Sequence, residues 1–189
     1  CFSFAPNKII TTGQGGIVVT NKKKLFLSLK KLKDQGRTKV NPGGEDRYRS
    51  LGYNFKFTDM QAALGLAQIQ ELKERINILK KNYNIYKKEL RGLKNFKLIG
   101  FNISKGEVPL WIDAHCENRK DLFSFLKNKK INCRYFWQPL NLNKSYEQSF
   151  SKLTISKKLY KKLIWLPSAL NLKKKNILKI TELIRYFYS

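Results

Sequence analysis

The chain has 189 residues, 42% of them hydrophobic, which suffices for one domain or two small ones with a real core. No run approaches the roughly twenty apolar residues of a membrane span, so no membrane-embedded helix is expected. A formal charge of +26 invites a nucleic-acid reading. However, 31 of the 39 basic residues are lysine, spread along most of the predicted helices, whereas phosphate and base readers lean on arginine's bidentate fork. The charge therefore reads as a residue bias on a solvated surface, and no specific nucleic-acid partner is expected.

In chain order, Cys1 to Phe4 is a short apolar stretch that leads into a turn at Pro6 and Asn7. Lys8 follows, then Gly13-Gln14-Gly15-Gly16, then the β-branched run Ile17 to Thr20, which predicts a buried strand. Lys8 thus falls on a loop between two strands, near glycines that let the backbone approach a ligand. In a partly dry pocket it would lose proton affinity and become a usable amine nucleophile; in a lysine-rich chain the alternative is a solvated surface residue. A chain opening inside a strand, with Met60 as its only methionine, predicts the C-terminal part of a longer protein.

Asn21 predicts the cap of a helix through 22–35 that Gly36 ends, and the polar segment 37–50 with Pro42-Gly43-Gly44 predicts a mobile loop. Thr58-Asp59-Met60-Gln61 fits a capping box, and apolar residues from Ala62 to Leu90 recur every three or four positions, predicting one long helix. Beyond Gly92 the expected elements are strands near 97–99 and 108–114, a helix capped by Asn118 through 129, and a strand at 131–137. A loop at 139–151, a helix near 156–163 and a final helix capped by Asn171 complete an α+β unit. Cys1, Cys116 and Cys133 show no paired spacing, and an odd number suits a reducing, cytoplasmic compartment. His115 beside Cys116 lacks the further ligands that zinc needs, so no metal is expected.

Two strings resemble one family. Ser-Phe-x-x-x-Lys with Thr11-Thr12-Gly13-x-Gly15-Gly16 and Val18-Val19-Thr20-Asn21 is similar to the Schiff-base segment of the DegT/DnrJ/EryC1/StrS sugar aminotransferases. Leu51 to Gln68 is similar to that family's next segment. The resemblance implies an α/β architecture: the end of a fold-type-I large domain binding pyridoxal 5'-phosphate (PLP) at 1–90, then a small α+β domain at 91–189. It implies a cytoplasmic homodimer with shared active sites that moves an amino group, from glutamate, to a nucleotide-linked keto-sugar for surface glycans.

The same resemblance assigns residues. Lys8 would carry the cofactor and shuttle a proton, and its presence favours transamination over the dehydratase branch, which places histidine there. Ser3 matches the serine that binds the cofactor phosphate, its other reading being a strand-end hydroxyl. Asn54 matches an asparagine that reaches the phosphate across the dimer, its other reading being a turn asparagine that bonds its own backbone. Arg134 to Asn141 resembles the segment beside the sugar, so Tyr135, Trp137 and Asn141 are substrate candidates, with a core role open for the two aromatics. Tyr53 and Phe55 read as core. Ile164-Trp165-Leu166-Pro167-Ser168 resembles the near-terminal Leu-Pro signature. Ala5, Gln35 and Asn141 depart from the family at positions facing the substrate, which leaves the sugar open. The carboxylate for the pyridine nitrogen and the ring-stacking group are expected upstream of Cys1. The readings from other classes are a PLP-dependent sugar dehydratase and a basic nucleic-acid-binding or assembly module without catalysis.

Overall fold

The computed structural model describes residues 1–39, 46–146 and 153–189. They divide into two compact units, Cys1–Leu72 and Lys73–Ser189.

In the first unit, β1 (Phe2–Ser3) pairs antiparallel with β2 (Gly16–Ile17), with Phe2 opposite Ile17. The run 17–20 is not the buried strand expected: only Ile17 joins the ladder, and Ile17, Val18 and Val19 are exposed. α1 (Lys23–Lys33) has Lys22 at its N-cap without a side-chain bond, so Asn21 does not cap it; the Lys22 amide donates to Thr20 Oγ1 at 3.1 Å. At its other end Gln35 and Gly36 both take positive φ, 58° and 76°, and the Gly36 amide returns to the Lys31 carbonyl at 2.9 Å. That backbone reversal is what lets glycine end the helix.

The polar segment is more ordered than expected where it is described: β3 (Arg37–Lys39) pairs with β4 (Arg47–Tyr48). Pro42-Gly43-Gly44 lies outside the described residues. Thr58 forms the capping box foreseen, its Oγ1 accepting from the Gln61 amide at 3.2 Å while Gln61 Oε1 accepts from the Thr58 amide at 3.0 Å. Such a cap stabilises its helix by about 1 kcal/mol. The single long helix is in fact two, α2 (Asp59–Gln70) and α3 (Leu72–Glu89). At Glu71 the amide donates to both the Gln68 and Ile69 carbonyls, and the ladder breaks.

The second unit is an antiparallel sheet in the order β5 (Phe96–Leu98), β6 (Ile112–Cys116), β8 (Leu163–Leu166), β7 (Arg134–Tyr135). α4 (Arg119–Asn128), α5 (Thr154–Leu159) and α6 (Lys174–Tyr188) complete it. Three elements differ from expectation. The strand at 131–137 contracts to two residues, Leu163–Leu166 is a central strand rather than a helix end, and α6 starts from Lys173 without a cap from Asn171. Asn118 holds the N-cap of α4 but makes no side-chain cap bond.

Alternation sets the core. Ile112, Ala114 and Cys116 of β6, with Ile164 and Leu166 of β8, point toward Tyr83 and Tyr86 of α3, Leu122 and Leu126 of α4, and Ile177, Ile180 and Ile184 of α6. Each buried aliphatic side chain stabilises by about 1.5–3 kcal/mol. The Tyr86 hydroxyl, fully buried, donates to the Pro167 carbonyl at 2.9 Å, so the near-terminal Leu-Pro segment is fastened to α3.

Candidate active site

The Lys8 turn is built by short hydrogen bonds. The Lys8 amide donates to the Ala5 carbonyl (3.0 Å), and the Phe4 carbonyl accepts from both the Thr12 amide (3.1 Å) and the Thr11 hydroxyl (2.8 Å). The segment from Phe4 to Thr12 is thereby closed on itself with Lys8 at its outer edge. Lys8 is exposed. Among the described residues its amine has no ion-pair or side-chain hydrogen-bond partner. Ser3 is also exposed, its hydroxyl accepting from the Ala5 amide at 3.3 Å. Thr12 is buried, bonded through its hydroxyl to the Gln14 carbonyl at 2.7 Å.

Asn54 is not in a turn. Its backbone bridges Asp34, between hydrogen bonds from the Tyr53 amide to the Leu32 carbonyl (2.7 Å) and from the Phe55 amide to the Lys33 carbonyl (2.9 Å). Two glycines permit this crossing: a Cβ on Gly52 would lie 2.1 Å from the Gly36 nitrogen, and one on Gly36 would lie 1.7 Å from the Ser50 carbonyl oxygen. Asn54 therefore stands exposed on an extended segment. Tyr53 and Phe55 are also exposed, stacked on one another at 5.1 Å, rather than in the core. Asp34 is occupied by Lys56 at 3.1 Å and by Arg37 at 3.9 Å.

These residues fit part of a PLP site. The turn supplies an accessible amine and, in Ser3, an accessible hydroxyl beside a glycine-rich backbone. It supplies no carboxylate, since residues 1–33 contain no acidic side chain and Asp34 is committed to its cations.

In the second unit, Trp137 and Asn141 line one groove of about 920 Å³, with Phe136, Pro139, Leu140 and Tyr160 among its other walls. Asn141 is buried and Trp137 is exposed. Tyr135 does not line that groove. It lies across the strand, its ring 4.5 Å from Phe123 of α4 and 4.2 Å beneath the Arg119 guanidinium. Adjacent strand residues face opposite sides of a sheet, so 135 and 136 part company here. Arg119, nearly buried, also donates to the Tyr160 and Leu163 carbonyls.

Behind Trp137 the chain's three tryptophans gather. Trp165 stacks on Trp111 at 4.9 Å and meets Trp137 edge-on at 4.9 Å, with the Arg134 guanidinium 5.6 Å from its ring. Burial raises the carboxyl pKa of Asp113, the β6 partner of Trp165, and the Trp165 side chain opposes that shift. Trp111 and Arg119 were not singled out in the sequence, because their partners lie on other strands and helices. Among the described residues no cluster of His, Cys, Asp or Glu could hold a metal, and no helix is long and apolar enough to cross a membrane.

The family model described as the DegT/DnrJ/EryC1/StrS aminotransferase family matches residues 1–185. GDP-perosamine synthase of Escherichia coli O157:H7 is 32% identical over all of this chain and 51% of its own length. A UDP-4-amino-4,6-dideoxy-N-acetyl-beta-L-altrosamine transaminase of Campylobacter jejuni is 31% identical over 80% of the chain and 40% of its own length. Among solved structures, Helicobacter pylori PseC superposes with a TM-score of 0.87 at 23% identity, covering 99% of this chain and 52% of its own. S. venezuelae DesV gives 0.88 at 22%, covering 100% and 51%. The mixed helix-and-sheet fold expected from the sequence is therefore that of sugar aminotransferases, and the chain spans about half the length of the relatives it matches.

Proposed function

We infer, for a chain that belongs to the DegT/DnrJ/EryC1/StrS aminotransferase family, that its whole protein is a PLP-dependent aminotransferase. It moves an amino group from glutamate to a nucleotide-linked keto-sugar in amino-sugar and surface-glycan synthesis. One observation carries this reading: an accessible lysine, without an ion-pair partner among the described residues, on a turn closed by Thr11 and Thr12, with an accessible serine hydroxyl at its base.

PLP, when bound, draws electrons from the carbon that loses or gains nitrogen. Lys8 Nζ would be the amine that tethers the cofactor, and its free amine would hold and move the proton between substrate and cofactor carbons. Ser3 Oγ would donate to the cofactor phosphate, and Asn54, exposed on its extended segment, would hold the phosphate of a second subunit in a homodimer. Trp137 and Asn141 receive the sugar nucleotide, with Tyr135 steadying the same strand from its other face. The names of the relatives, a GDP-sugar synthase and a UDP-sugar transaminase, support the substrate class. The three free cysteines suit a reducing cytoplasm.

The test is an assay of the whole protein for 2-oxoglutarate formed from glutamate, with and without a GDP- or UDP-linked 4-keto-sugar. Sugar-dependent turnover lost in Lys8→Arg supports the reading. Turnover that survives Lys8→Arg removes Lys8 from the chemistry.

A further inference from the structure

The face of α2 that meets the Lys8 turn is polar and closely spaced. Gln61, Gly65 and Gln68 fall at i, i+4 and i+7, on one side of the helix. Gln68 Oε1 accepts from the Thr11 amide at 2.9 Å, and Gln61 Nε2 donates to the Gln14 carbonyl at 3.1 Å. Between them, a Cβ on Gly65 would lie 3.0 Å from Thr12 Cγ2, tighter than an ordinary contact. The helix backbone thus comes close against a buried threonine, where a methyl would be a tight contact, and a glutamine on either side fastens the turn's backbone.

We propose that Gln68 and Gln61 are positioning residues that hold the Lys8 turn on α2, with Gly65 giving the clearance. This rests on the reading of Lys8 as the reactive amine. Thr11 is the junction: its hydroxyl donates to Phe4 and accepts from the Gly13 amide, and its own amide is held by Gln68. One end of the segment containing Lys8 is therefore tied to the β1 side and the other to α2. Gln61 has two tasks, since its Oε1 also accepts from the Thr58 amide and hydroxyl. The start of α2 and the turn are consequently fixed by one side chain. Glutamine suits the role because a neutral amide offers both a donor and an acceptor.

The test uses the whole protein with two readouts. Gln68→Met keeps the side chain's length and removes the acceptor; Gln68→Glu keeps the acceptor; Gln68→Asn draws it back by a methylene and serves if Met disturbs the helix. Hydrogen exchange of the Thr11 amide should rise roughly five- to tenfold in Met and Asn, the factor a neutral hydrogen bond is worth, and stay near wild type in Glu. The rate at which PLP and borohydride label Lys8, relative to Lys30 on α1, should fall severalfold in Met and Asn and recover in Glu. Unchanged Thr11 exchange in both Met and Asn overturns the proposal. Wild-type labelling of Lys8 no faster than Lys30 would instead count against Lys8 as the reactive amine, while the exchange result still decides the positioning role.

Discussion

Substituting Gly52 with alanine probes the backbone crossing that presents Asn54. The new Cβ would meet the Gly36 nitrogen at 2.1 Å and the Gln35 carbonyl carbon at 2.6 Å, both main-chain atoms that cannot rotate away. Gly52 has no positive φ, so the cost is overpacking alone, about 1–3 kcal/mol. Gly36→Ala adds left-handed strain of about 1–2 kcal/mol to a contact with the Ser50 carbonyl at 1.7 Å. Gly13→Ala isolates the strain, because φ is +77° there and nothing lies within 4 Å. Gly36 and Gly52 act at one crossing, so the double variant should cost clearly less than the sum. The assay is native-state hydrogen exchange of the amides that join the two segments, those of Gln35, Tyr53 and Phe55. Gly52→Ala should raise their exchange roughly five- to 150-fold, the equivalent of that overpacking cost. Gly13→Ala should leave them unchanged. Wild-type exchange in Gly52→Ala would refute the close approach on which the placement of Asn54 depends.

Tyr86→Phe should lower stability by about 0.5–1.5 kcal/mol in urea unfolding, because it removes the hydrogen bond to the part-buried Pro167 carbonyl; a neutral result would mean that carbonyl finds another partner. Burial pushes the Cys116 and Cys133 thiols up to about 11 and about 12, so alkylation of the native protein at pH 9 should mark exposed Cys1 and spare both. Their raised folded pKa values contribute stability that is complete below the ordinary thiol value of 9.0 and lost as pH climbs toward 12. The urea midpoint should therefore fall above pH 9, and less steeply in a Cys116→Ala, Cys133→Ala variant. Mixing Lys8→Ala with Asn54→Ala subunits should restore some activity, since each mixed dimer has one site free of both changes; no recovery despite subunit exchange would put both residues in the same subunit's site. Trp137→Ala should raise KM for the sugar nucleotide about tenfold with kcat little changed, and the reverse split would place Trp137 nearer the reacting carbon.

What the sequence made legible was local. Thr58 and Gln61 are three residues apart, and their capping box forms as written. The Lys8 turn, bounded by a Ser-Phe stretch and a glycine run, likewise lies between two strands. The break at Glu71 was hidden because the apolar spacing runs through it with neither Gly nor Pro as a marker. Leu163 to Leu166 is a four-residue apolar run next to a helical pattern, and periodicity cannot tell a central strand from a helix end at that length. Only pairing with β6 and β7 decides it. The site's supports were illegible for the same reason. Gln68 reaches Thr11 across 57 positions, and Arg119 reaches Tyr135 from another element. Tyr135 and Trp137 looked like neighbours in one pocket, yet the strand sends Tyr135 toward α4.

The reading of Lys8 as the cofactor-bearing amine is tested most directly by loading the whole protein with PLP, reducing with borohydride and sequencing the peptides by mass. The pyridoxyl mass should sit on the peptide containing Lys8 and vanish in Lys8→Arg. Label on another lysine, with Lys8→Ala still turning over glutamate, would contradict it.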